Sequence, residues 1–420
     1  MRRPTRRAHR DASSDVHLDQ LRNEHAAEIA ARAEAAGSTV VRLFGRRALG
    51  VPGTLLGAVQ IPEIRTWSKR LGEWHYWWQA HFVDCAIDAA YRAHTSHDSQ
   101  SATAWYERAH ALLLGIRVRN LGVFVNSYYD DMAWLTLAAG RLNALSQLLF
   151  GRGDLLAQQV GQALYPALAR GLDDDGGIFW STQHDFKNTP AAAPAALAFV
   201  RGHQPERAGQ LLDWLDRHLW DAESNVFLDG VRLRGEGEYE VERSFFSYNQ
   251  GPVLSALLEI AEAGGPLAFD AAERIERIVD GIEAHFGQEF EISPAESLPV
   301  LKMHGNGDGG LFTGILGRYL AQVALSDAVE DSVRTRAADL VVYTAEVLWE
   351  GRREFDPDLP LNEAGIDVNE IRGEAAVLFS PDVMKHSSET LRAGAPVELS
   401  SQLQAWMLLE ASARVIAAAS

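Results

Sequence analysis

Two adjacent carboxylates, Asp130 and Asp131, follow Asn126-Ser-Tyr-Tyr129 and open a segment in which Trp134, Leu135, Ala138, Leu142 and Leu145 recur at spacings of three and four. That periodicity predicts a helix with one apolar face, so the pair sits in its first turn, at the mouth of whatever the helix packs into. One aspartate there is accounted for by helix capping and by the helix dipole. A second beside it adds like-charge repulsion without a capping gain, while paired carboxylates suit general acid/base work. On these residues alone capping and catalysis both stand.

Further polar and aromatic clusters lie at the predicted starts of other helices. Trp67, Trp74, Trp77 and Trp78 gather with His75 and His81. Adjacent helical residues diverge by about 100°, so one of Trp77 and Trp78 faces a groove and the other the core. Asp173-Asp-Asp-Gly-Gly-Ile-Phe-Trp180 lacks the alternating ligands and closing glutamate of a calcium loop and reads as a turn before an aromatic wall. Lys187 and Asn188 precede a helix, as a ligand-facing pair or as caps. Ser247-Tyr-Asn-Gln-Gly-Pro252 leads into another helix, where Asn249 can cap or bind. Gly305-Asn-Gly-Asp-Gly-Gly310 matches G-x-G-x-x-G but stands among helices with no βαβ unit, so a dinucleotide site is excluded. No His, Cys or carboxylate set has metal spacing, and neither a metal nor a cofactor is expected.

The elements that would carry these groups are helical throughout. Periodicity predicts helices at about 15–36, 74–94, 101–117, 129–150, 153–171, 188–202, 206–219, 248–263, 270–287, 308–327, 329–350 and 398–418. Short extended pieces are expected only at 226–233 and near 375–379. Such an all-α chain fits an α-solenoid or helical hairpins closed into a toroid, and the lack of a fixed-period repeat disfavours the solenoid. Short connections alternate with long ones at 172–187, 220–247, 288–307 and 351–397, which would gather at one end of a closed barrel. Asp356-Pro-Asp-Leu-Pro-Leu361 reads as a lid or an insertion. Helix starts bearing Asp, Asn, Gln, Lys, Trp and Tyr would meet at that end, and a groove of carboxylates and aromatic platforms suits a carbohydrate.

The 420 residues are 47% hydrophobic and carry a net charge of −18, ample for a large core and unsuited to nucleic acid. Cys85 is the single cysteine, so no internal disulfide forms. The basic start, Met1 to Arg10, is followed by no apolar run, so residues 1–14 are expected to be a disordered tail ahead of one domain at 15–420, and the chain reads as cytoplasmic. No run is long enough to span a membrane. The oligomeric state leaves no mark in the sequence.

In order along the chain, Tyr129-Asp-Asp-Met-Ala-Trp134, Gly176-Gly-Ile-Phe-Trp180 with Lys187-Asn188, Asp229-Gly230 ahead of Tyr248-Asn-Gln-Gly251, Phe312-Thr-Gly-Ile-Leu-Gly-Arg318 and Leu399-Ser-Ser-Gln402 resemble glycoside hydrolase family 76, the endo-α-1,6-mannanases. The resemblance covers most of residues 60–418. It implies an (α/α)6 barrel, a retaining hydrolase of α-1,6-mannosidic linkages, Asp130 as nucleophile and Asp131 as general acid/base. It also implies Asp229 as a sugar-binding carboxylate, and a groove lined by Tyr129, Trp180, Lys187, Asn188, Tyr248, Asn249, Gln250, Trp77 and Trp78. Consecutive Cα atoms about 3.8 Å apart let diverging carboxyls reach the roughly 5 Å separation of retaining enzymes but hardly the 6.5–9.5 Å of inverting ones. The chain departs from the family in having Thr313 where lysine is common and in showing no secretion signal. A sugar isomerase of the N-acylglucosamine 2-epimerase type shares the toroid, but it needs paired histidine bases, and His81, His184 and His304 form no evident pair.

Overall fold

The computed structural model describes residues 11–62, 72, 74–235, 238–265, 267–355, 376–391 and 396–419. They form twelve long helices: α1 (Asp11–Phe44), α2 (Tyr76–Thr95), α3 (Ser99–Arg119), α4 (Tyr129–Phe150), α5 (Leu155–Gly171), α6 (Thr189–Arg201), α7 (Pro205–His218), α8 (Ser247–Ala263), α9 (Ala268–Phe286), α10 (Gly309–Ala324), α11 (Asp331–Glu350) and α12 (Leu399–Ala419). The even-numbered helices pack side to side in the closed cycle α2, α4, α6, α8, α10, α12, and each odd-numbered helix packs outside one of them. The molecule is an (α/α)6 barrel.

Sequence decides which ring a helix joins. In α6 every residue from Thr189 to Phe199 is buried, and a helix without a polar face must be covered all round. The outer α9 instead buries Ala271, Ile275, Ile278, Val279 and Ile282, one stripe at helical spacing. Inner helices all start at one mouth of the barrel. The connections entering them are the long ones, as the alternation of loop lengths predicts.

Three features differ from expectation. First, α1 runs to Phe44, beyond the expected end at about 36 and straight through Gly37. A Cβ there would lie 2.6 Å from the Trp406 indole, so this glycine serves close approach of α1 to α12. Second, the stretch 288–307 begins with an antiparallel hairpin, Gly287–Ser293 on Glu296–Leu301, exposed at its tip and buried at Val300 and Leu301, whose period-two signal is hidden among glutamates. Third, Phe186–Asn188, Gly230–Gly235 and Glu238–Glu242 form a three-stranded sheet on the mouth. The extended pieces expected at 226–233 and near 375–379 contain the strands Val226–Phe227, Gly230–Gly235 and Ala376–Leu378. Of the expected tail, residues 11–14 are helical in α1 and 1–10 lie outside the described residues, as do Trp67 and Asp356–Leu361. No described helix is long and apolar enough to cross a membrane.

Candidate active site

The mouth at the inner helices' N-termini holds a cleft of about 710 Å³ with Asp130 and Asp131 in its lining. Backbone pairing pins the start of α4. Tyr129 N–H donates to the Trp180 carbonyl (2.8 Å), and Thr182 N–H to that of Ser127 (2.9 Å). The Tyr129 ring fills the space left by Gly171, where a Cβ would approach it to 2.6 Å. Neither aspartate caps a distant N–H of the helix. Asp130 Oδ1 accepts the backbone N–H of Asp131 (2.9 Å) and Oδ2 accepts Trp180 Nε1–H (2.9 Å). Asp131 Oδ2 accepts the Asn126 side-chain amide (2.6 Å).

These contacts make the two carboxylates unlike. Burial pushes Asp130 up to about 7, against the pull of its two N–H donors. Burial and then the charge of Asp130 drive Asp131 well above the ordinary carboxylate range, against the Asn126 amide and the backbone N–H of Trp77. The pair titrates as a unit, and its better-solvated member by hydrogen bonding is Asp130.

Around the pair, Tyr248 stacks on Phe312 with ring centres 4.0 Å apart, and Trp77 lies 6.2 Å from Tyr248. Trp180, against Tyr128 at 5.0 Å, forms the opposite wall. Asp229 accepts the Asn249 amide (3.2 Å) and is pushed up to about 6 by burial. Asn188 lines the cleft and caps α6 through the Ala191 N–H (3.2 Å). The Arg232–Glu242 ion pair (2.6 Å) closes one edge.

The structure thus brings Asp130, Asp131, Asp229, Trp77, Trp180, Asn188 and Tyr248 together in the cleft. The other five expected lining residues stand behind it. Trp78 is buried beneath His75, 4.0 Å away. Tyr129 is core. Lys187 is wholly buried and bound to Asp173 (2.5 Å) and Asp175 (2.7 Å), where Trp214 and Tyr239 also converge. Asn249 reaches the cleft only through Asp229. Gln250 holds both backbone polar groups of Phe227 (2.8 and 3.0 Å) and fixes the entry to α8. Their amide and ammonium groups read as ligand binders in sequence because nothing local reveals the backbone or acid partner that claims them. Asn126, Phe246, Asp308 and Phe312 line the cleft unforeseen; the place of Asn126 just ahead of the acid pair is a signal that could have found it.

Among the described residues no histidine pair faces the cleft. His81 is buried with Nδ1 3.5 Å from Arg318 Nη1, which with burial keeps the ring neutral. His184 stacks on Phe179 at 4.3 Å, and His304 bonds Ser247 at 3.0 Å. Among the described residues no group of three His, Cys, Asp or Glu side chains could hold a metal ion.

The family model for glycosyl hydrolase family 76 matches residues 35–354. No curated protein matches. Among solved structures, the α-1,6-mannanase GH76A of Salegentibacter sp. HEL1_6 is 25% identical, with a TM-score of 0.69 over 92% of this chain and 99% of that one. An inactive variant of that enzyme, with two adjacent aspartates replaced by alanine and α-1,6-mannotetraose bound, matches equally well. The family 76 mannosidase Bt3792 of Bacteroides thetaiotaomicron shares the fold at 15% identity, with a TM-score of 0.68 over 92% of this chain and 98% of that one.

Proposed function

The chain belongs to glycosyl hydrolase family 76 and is a glycosidase, and from that premise we propose that it hydrolyses α-1,6-mannosidic linkages with retention, through Asp130 and Asp131. The observation that carries this reading is the unequal hydrogen bonding of two adjacent carboxylates in one cleft. The inactive Salegentibacter variant, in which adjacent aspartates are removed, supports it, as does the aromatic floor, which suits the apolar faces of sugar rings.

Asp130, holding two N–H donors, ionises first and attacks the anomeric carbon. Asp131, kept protonated by burial and by its neighbour's charge, gives its proton to the departing glycosidic oxygen as that bond breaks. With the glycosyl group on Asp130, Asp131 is a carboxylate. It takes a proton from water as the water oxygen bonds to the anomeric carbon and the ester to Asp130 breaks. Two inversions leave the α configuration. Among the described residues the isomerase alternative has no imidazole pair in the cleft to work with.

Proton NMR of linear α-1,6-mannan incubated with the protein tests this directly. The α-anomer is expected as the earliest product signal. A β-anomer appearing first would refute retention, and an unchanged mannan spectrum would refute the substrate.

A further inference from the structure

The glycine-rich loop that imitates a dinucleotide motif supplies neither member of the acid pair, yet it delivers another carboxylate to the cleft, whose charge adds to the upward push on both acids. Gly305 (φ 78°) and Gly307 (φ 66°) adopt the left-handed conformation that glycine tolerates without strain. The Gly307 N–H is held by Glu398 Oε2 (2.5 Å). Gly310 lies so near Ser400 that a Cβ would meet its Oγ at 2.5 Å. The loop therefore fixes Asp308 at the first turn of α10. Asp308 makes no side-chain cap there.

Its Oδ1 instead accepts Trp78 Nε1–H (2.9 Å), with His75 Nδ1 3.8 Å away and His75 stacked on Trp78. The side chain is 58% exposed, lining the cleft beside Trp77 and Phe312. Oδ2 has no hydrogen-bond partner among the described residues. Around the mouth, Asp308 opens α10 and reaches across α12 to Trp78 of α2, Asp229 lies between α6 and α8, and the acid pair opens α4 between α2 and α6.

The geometry points to Asp308 as a specificity-determining residue that binds hydroxyls of a sugar on the opposite side of the acid pair from Asp229. This rests on the mannan reading of the cleft. An α-1,6-linked mannose unit keeps its 2-, 3- and 4-hydroxyls free, and an anionic oxygen is a strong acceptor for them. A branch on that unit removes a donor and adds bulk, so Asp308 selects an unbranched sugar.

Steady-state kinetics on linear α-1,6-mannan test the assignment. Asp308→Asn keeps an acceptor for Trp78 but turns the free oxygen into a donor. It is expected to raise KM about ten- to a hundredfold, the loss of one charge-assisted hydrogen bond, with kcat changed far less. Asp308→Glu keeps the charge and displaces the oxygens; its KM is expected to rise as well. Unchanged KM in both variants, or a shifted pH profile as the sole effect of Asp308→Asn, overturns the proposal while the wild type still cleaves mannan. Wild-type protein inert on linear mannan overturns the mannan reading and this proposal with it.

Discussion

At the scale of single residues, the cleft works by making two identical side chains different. The indole N–H of Trp180 is the most specific device, because it reaches Asp130 alone. A donor to the charged form lowers a carboxyl pKa. Trp180→Phe keeps an aromatic wall and removes the donor, so Asp130 ionises at higher pH. A hydrogen bond to a charged group is worth about 1.5–3 kcal/mol, and one pKa unit is about 1.4 kcal/mol. The acidic limb of the kcat/KM profile, which follows the first ionisation of the pair, should move up by about one unit or more. The alkaline limb, set by Asp131, should move less. A profile whose acidic limb stays in place would show that Trp180 does not act on the nucleophile.

At the scale of elements, the pair is aimed by the packing of α4 against the end of α5. Tyr129 directly precedes Asp130, and its ring occupies the place a side chain at Gly171 would take. Gly171→Ala must displace that ring or the end of α5. Overpacking of this kind costs about 1–3 kcal/mol, and a displaced pair loses rate out of proportion to stability. A drop in melting temperature of a few degrees with at least a tenfold fall in kcat is expected; wild-type kcat in a folded variant would refute the coupling. Legibility in sequence follows the same division. Helix content, alternating loop lengths and the acid pair were readable because each rests on local periodicity or adjacency. Lys187 and Gln250 were misplaced because their partners, Asp175 and the Phe227 backbone, are fixed by the strands and turns of the mouth. The first helix overran its expected end at about 36, and the close approach of Gly37 to Trp406 that suits it exists only once α1 and α12 are packed. The dismissed glycine loop had the right residues, and its Asp308 gained meaning only from the tryptophan brought to it by α2.

At the scale of the whole molecule, paired charge crosses the interior of the ring of six helices, on the wall of a second cavity of about 1150 Å³. Arg318 of α10 binds Asp88 (3.0 Å) and approaches Asp84 (3.6 Å), both on α2. Arg141 of α4 binds the same two carboxylates. Burial alone would raise Asp88, but the two guanidinium groups outweigh it and hold its carboxyl below the usual range. A group with a depressed folded pKa adds stability above its unfolded pKa and loses it as pH falls through the folded one. Removing one partner of such a network leaves an uncompensated buried charge, costing about 3–5 kcal/mol. Arg318→Met should therefore lower the stability to urea strongly at pH 7. In the variant Asp88 has one guanidinium beside it instead of two, so its pKa rises toward or past the unfolded value and protonation relieves the excess charge. The deficit relative to wild type should shrink as pH falls toward about 4, where an unperturbed aspartate titrates. A deficit constant from pH 7 to pH 4 would mean that Arg318 holds the ring by packing alone; a deficit that closes would mean that paired charge on the axis ties α2, α4 and α10 together beneath the cleft.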